Sequence, residues 1–193
     1  LTVRGLARSR SSALDLIKRE KITVNGNIVC KQGLLVKKTD TIVSLMRENF
    51  VGRGGEKLEH ALVSWKIDVK GKTVIDIGSS TGGFTERLLS HGAQKVYAVD
   101  VGDGQLDSKL RSDSRVIVME GVDVRKVSVP EIADMAVVDV SFISLSLVLP
   151  KIYKLVKNTG YVVALVKPQF EVGREVAKKN RGVIMDKDTQ NAV

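Results

Sequence analysis

Val74-Ile-Asp-Ile-Gly-Ser-Ser-Thr-Gly-Gly-Phe84 is the stretch whose reading decides the fold. Thr73, Val74 and Ile75 are β-branched and lead to Asp76, as in a buried strand. Gly78, Gly82 and Gly83 then break the strand, and Phe84-Thr-Glu-Arg-Leu-Leu89 follows with helical character. A glycine turn between a strand and a helix lets a ligand approach backbone N–H groups that a Cβ would shield.

Outward from this turn, strands and helices alternate. Strands are predicted at 73–77, 95–100, 116–120, 135–141 and 161–167, and helices near 83–91, 105–111 and 145–157. The strands are apolar without polar alternation, which implies burial on both faces and a parallel, doubly wound α/β sheet. A ligand then sits beyond the carboxyl ends of the strands, at the switch point beside the first. Asp76, Asp100, Asp139 and Lys167 all fall at that edge. Charged groups are rarely buried unless paired or working, so four together point to a site.

Asp100 follows Asp76 by 24 positions, the spacing at which an acid reaches a ribose diol. The turn lacks the Gly-x-Gly-x-x-Gly of a dinucleotide site. An acid two residues before the first glycine suits an amino or sulfonium cation better than a pyrophosphate. Asp123, after the third strand, can accept from an adenine amino group or simply shape a turn.

Upstream, residues 47–56 carry Gly52, Gly54 and Gly55 and read as a joint. A helix then begins at Lys57, with Leu58, Ala61, Leu62 and Trp65 on one face and Trp65 expected in the core. A lysine at a helix start opposes the helix dipole, which suggests that it is wanted there for another purpose.

Residues 1–46 read as a small α+β unit: a helix over 9–20 with serine caps, a hairpin around Asn25-Gly26, and strands at 34–36 and 41–45. The formal charge is +9 over 193 residues, and residues 1–57 hold a net +7 of it. Arg4, Arg8, Arg10, Lys18, Arg19 and Lys21 crowd this first part. Such a patch can follow a phosphate backbone, and without aromatic residues beside it structured RNA is favoured over stacked single strands. Lys178-Lys-Asn-Arg181 is either a solvated charge run or a further part of the RNA groove.

Cys30 is the single cysteine, which excludes an internal disulfide framework and fits a reducing cytoplasm. No apolar run is long enough to span a membrane, and no membrane partner is expected. Cys30, His60 and His91 have no partners at metal-ligand or triad spacing, so no metal site is expected.

Two resemblances sharpen these readings. Gly5-Leu-Ala-Arg-Ser-Arg-Ser-Ser-Ala13, Ile17 and Ile22-Thr-Val-Asn-Gly-Asn-Ile-Val29 resemble the RNA-binding module named after ribosomal small-subunit protein four. Its usual Arg-Leu-Asp opening is not in the chain, so a trimmed start is expected. Asp76-x-Gly-x-x-x-Gly-Gly with Asp100 resembles the first two motifs of S-adenosylmethionine-dependent methyltransferases. The finer likeness is to the TlyA/hemolysin A family, related to FtsJ-like RNA ribose methyltransferases. It rests on Gly52–Leu62, Asp76–Thr85, Val99–Leu106, Asp139-Val-Ser-Phe-Ile-Ser-Leu145 and Leu165-Val-Lys-Pro-Gln-Phe-Glu171.

The resemblance implies a Rossmann-like methyltransferase at 57–193 behind an RNA-binding module at 1–46. S-adenosylmethionine would be the cofactor, ribosomal RNA in a ribosomal subunit the substrate, and 2′-O-methylcytidine the product. It implies Asp76, Gly78, Ser79, Ser80, Thr81, Gly82, Gly83, Phe84, Asp100 and Asp123 around the cofactor. From the FtsJ-like Lys-Asp-Lys-Glu tetrad it carries over Lys57, Asp139 and Lys167, with Lys167 handling the proton. The glutamate of that tetrad, and two further strands of a seven-stranded sheet, are expected beyond Val193; Glu171 does not match it. The competing readings are an RNA-binding protein with an inactive methylase fold, and a membrane-lytic hemolysin.

Overall fold

The structure, a computed structural model, describes residues 1–7, 10–45, 54–173, 176 and 184–193. Arg8, most of the predicted joint and the Lys178–Arg181 run lie outside them. Contacts divide the chain into two compact units, Leu1–Asn49 and Phe50–Val193.

In the first unit α1 (Arg10–Lys18) precedes a three-stranded antiparallel sheet of β1 (Ile22–Val24), β2 (Asn27–Ile28) and β3 (Ile42–Ser44), in the order β2-β1-β3. The hairpin turn has φ 50° at Asn25 and 83° at Gly26, the paired left-handed residues that its sequence requires. Ala7, Leu16 and Ile22 form the small core. Residues 34–36 form no strand: Leu35 is 96% exposed, and β1 already has a partner on each edge.

The second unit is a five-stranded sheet in the order β6-β5-β4-β7-β8, parallel throughout. Its strands are β4 (Thr73–Ile77), β5 (Lys95–Val99), β6 (Val116–Met119), β7 (Ala133–Val138) and β8 (Val156–Ala164). Its helices are α2 (Gly54–Ser64), α3 (Gly83–Ser90), α4 (Ser108–Arg111), α5 (Leu145–Tyr153), α6 (Pro168–Glu171) and α7 (Lys187–Asn191). No described helix is long and apolar enough to cross a membrane.

Strand alternation sorts the core into two layers. Val74 with Val96, Ala98, Met135 and Val137 packs against Leu58, Leu62, Phe84 and Leu88 of α2 and α3. Ile75 and Ile77 with Tyr97, Val99, Ala136 and Val138 pack against Leu145, Val148 and Ile152 of α5. Each Val, Leu, Ile, Met or Phe among them contributes about 1.5–3 kcal/mol by leaving water.

Several boundaries depart from the sequence expectation. α2 starts at Gly54 rather than Lys57, and Gly55 in its first turn is buried together with Leu58 and Leu62. Trp65 is 66% exposed, not core; the helix buries Leu58 and Leu62 instead. The 105–111 helix shrinks to α4 because the Glu120 carboxylate takes the N–H groups of Gln105 and Leu106. α5 ends at Tyr153, and β8 starts at Val156 and continues past an irregularity in its pairing with β7. Asp139 and Lys167 both lie past their strands, not inside or at the end of them.

Leu88 is fully buried between α2 and the sheet. Leu88→Ala is expected to lower stability by about 2–5 kcal/mol in chemical denaturation, the range for a cavity in a packed core.

Candidate active site

The carboxyl ends of β4, β5 and β7 meet at one edge. Gly78 N–H and Ser79 N–H both donate to the Val99 carbonyl, at 2.8 and 3.1 Å. On the other side Asp139 N–H donates to the Ile77 carbonyl at 2.9 Å. The chain crosses so closely here that a Cβ on Gly78 would lie 2.5 Å from the Asp139 carbonyl oxygen. With φ at 83°, Gly78 has both steric and conformational reasons to be glycine. Gly82 has φ 100°, which favours glycine on conformation alone, and it faces the Leu110 side chain.

Asp76 belongs to the β4 layer that faces α3, beside the small Ala98 and Val137. It is fully buried, and its Oδ2 accepts from Thr85 Oγ1 at 2.6 Å. Burial pushes its carboxyl up to about 7, against the hydrogen bonds from Thr85 and with help from Asp139 and Asp100. Asp76 Oδ1 and the buried Ser79 Oγ have no hydrogen-bond partner among the described residues. Buried polar atoms left open in this way are ready to receive a polar ligand group.

Asp100 is held by backbone. Ser80 N–H donates to its Oδ2 at 2.8 Å and Gly102 N–H to its Oδ1 at 2.7 Å. Each oxygen keeps acceptor capacity for a hydroxyl. Asp123 caps a short 3-10 turn (Val124–Lys126) and is gripped by the Arg125 side chain. That grip, with the Arg125 N–H, holds its carboxyl down at about 2.

These groups border a groove of about 510 Å³ lined by Gly78, Ser80, Asp100, Asp123, Asp139 and Phe142 among others. A smaller cavity of about 150 Å³ adjoins it, lined by Gly54, Ser79, Thr81, Gly83 and Phe84 as well as Gly78, Ser80 and Asp139. The whole predicted cofactor set is thus brought to one place: the nine residues from Gly78 on line the two cavities or, like Gly82, shape the turn, and Asp76 lies beneath.

At the mouth, Asp139 lies between two lysines. Lys167 Nζ is 2.6 Å from its Oδ1, and Lys57 Nζ is 3.8 Å from its Oδ2. Lys167 also donates to Ser141 Oγ at 2.8 Å and is largely covered, while Lys57 is half exposed. Two cations flank one carboxylate beside a cavity that could hold a methyl donor.

Of the predicted RNA-contacting residues, Arg10 and Lys18 are exposed on α1 and Lys21 is half-buried. Arg4 is committed elsewhere: its guanidinium donates to the carbonyls of Lys37, Lys38 and Asp40. Arg19 pairs with Asp15 at 3.7 Å.

Sequence reasoning missed Gln105 and Phe142. Gln105 accepts from Ser80 Oγ at 3.2 Å and lines the larger groove. Phe142 is 91% exposed with φ 64°, unusual for a side-chain-bearing residue. Both follow a site acid within five positions, the one signal that could have found them.

The FtsJ-like methyltransferase family matches residues 50–193. Hemolysin A of Brachyspira hyodysenteriae is 44% identical over 186 residues, covering 94% of this chain and 77% of that protein. The 16S/23S rRNA (cytidine-2′-O)-methyltransferase TlyA of Mycobacterium tuberculosis H37Rv is 44% identical over 179 residues, covering 90% and 67%. Among solved structures, a candidate hemolysin from Streptococcus thermophilus superposes with a TM-score of 0.74 at 38% identity, covering 96% and 70%.

Asp76 makes stability depend on pH. Its folded value of about 7 exceeds the unfolded one, so the folded state keeps a proton that the unfolded chain has lost. This stabilisation is full below about pH 4 and fades as pH rises to about 7, by an upper bound of about 4 kcal/mol. Denaturation midpoints of Asp76→Asn are expected to lack that slope.

Proposed function

Because the chain belongs to the FtsJ-like methyltransferase family, we propose that it methylates a ribose 2′-hydroxyl of ribosomal RNA, with cytidine as the target nucleoside. The observation that carries this reading is the Lys57–Asp139–Lys167 cluster at the mouth of the glycine-turn cavity.

The cofactor is S-adenosylmethionine, whose sulfonium supplies an electrophilic methyl carbon and leaves as a thioether. The residues present fit it. The open Asp76 Oδ1 and Ser79 Oγ are suited to its cationic amino group, Asp100 to its ribose diol and Asp123 to its adenine amino group. Thr81, Gly83 and Phe84 wall the small cavity.

A 2′-hydroxyl is a poor nucleophile and must lose its proton as it attacks. Lys167 takes that proton from the hydroxyl oxygen as the O–CH3 bond forms. The acceptor is the neutral amine, which has first passed its own proton to solvent, so each turnover releases one proton. Asp139 fixes both lysines by ion pairing, and Lys57 offers a second positive charge to the developing alkoxide.

The first unit would act as the RNA-binding module, holding a ribosomal subunit through its basic surface, in a cytoplasmic setting. Arg10 and Lys18 are the phosphate contacts best supported by exposure; Lys21 and Arg19 flank them, and Arg4 supports the fold of the module. Arg8 completes the sequence pattern.

Radiolabelled transfer from S-adenosylmethionine to ribosomal subunits tests the reading. The protein is expected to label ribosomal RNA, and Lys167→Ala to lose about 100-fold or more in rate while still binding cofactor. No label with the unaltered protein would contradict it. RNA affinity of Lys18→Ala should fall alike for all sequences, with the slope of log K against log salt shallower by about 0.7–0.9.

A further inference from the structure

Lys167 is the N-cap of α6, a helix of a single turn over Pro168–Glu171. Residues at the cap and three and four positions later share one side of such a turn. Here these are Lys167, Phe170 and Glu171, and all three reach the 139–145 segment. Lys167 meets Asp139 and Ser141. The Phe170 ring lies 5.1 Å from that of Phe142 and under the Lys167 ammonium at 5.9 Å. The Glu171 carboxylate accepts from Ser144 Oγ at 2.5 Å and from Leu145 N–H at 2.9 Å.

The 139–145 segment is therefore held at both ends. Asp139 N–H is tied to β4 through the Ile77 carbonyl. The far end is tied by Glu171, which adds a negative charge to the N-terminus of α5, where it is favoured. Between the ties Phe142 holds a left-handed φ that is costly for a residue with a side chain. Such a loop keeps its shape only if something outside it does the holding.

Resting on the methyltransferase reading above, we propose that Glu171 is a positioning residue: by clamping the start of α5 it fixes Ser141, and through Ser141 and Asp139 the place of the Lys167 ammonium. It touches neither lysine and takes no proton. Its carboxylate decides how often the Lys167 nitrogen stands where a hydroxyl proton can reach it.

Glu171→Ala is expected to lower kcat about tenfold, the order expected for a small misplacement of a reacting group. Glu171→Gln, which keeps the shape and one acceptor, is expected to lose less. Cofactor Kd and RNA KM should stay unchanged in both. In a Lys167→Ala background, Glu171→Ala should cost nothing further. A second readout needs no turnover. Acetylation of Lys167, measured by mass spectrometry against exposed Lys66, should speed up severalfold in Glu171→Ala and less in Glu171→Gln. Unchanged labelling, or an equal kcat loss with and without Lys167, would overturn the proposal. Faster labelling in a protein that transfers no methyl group would keep the clamp and overturn the methyltransferase reading instead.

Discussion

One carboxylate organises the carboxyl edge of the parallel sheet. Asp139 draws Lys167 to 2.6 Å and Lys57 to 3.8 Å, from segments far apart in the chain. Its backbone is equally committed, with the N–H on Ile77 and the carbonyl pressed against the face of Gly78. A carboxylate so placed draws the glycine turn, Lys167 and the helix that carries Lys57 into one arrangement. Removing it would leave two neighbouring cations without their shared counter-charge.

That position depends on the sheet. β7 reaches Asp139 beside β4 only because Val74–Ile77 pair with Met135–Val138 in register. The alternation of β4 then sends Ile75 and Ile77 into the α5 layer and Asp76 toward α3. An acid inside that apolar layer is a local cost, seen in its carboxyl being raised to about 7. Sites that bind cations often carry such a cost, which the surrounding apolar packing offsets.

Much of this was legible in the sequence. The apolar run into Asp76 and the glycines announced strand, turn and helix, because period-2 burial and positive φ are local demands. The acids near strand ends were readable for the same reason, since topology alone delivers them to one edge. Contacts made by folding back were not. Nothing local says that Glu171 caps α5, that Glu120 unwinds the start of a predicted helix, or that Arg4 is spent on the 37–40 carbonyls. Gly54 and Gly55 read as linker because glycine propensity speaks against helix, whereas α2 takes both into its first turn and buries Gly55 with Leu58 and Leu62. Leu34–Val36 looked like strand by composition but found no free edge of β1.

The account stands or falls on which atom receives the methyl group. Ribosomal RNA incubated with the protein and labelled S-adenosylmethionine can be digested to nucleosides and resolved by mass spectrometry. A hydroxyl flanked by two lysines and a carboxylate predicts label on the ribose, as 2′-O-methylcytidine. Label on a base, with none on ribose, would contradict it.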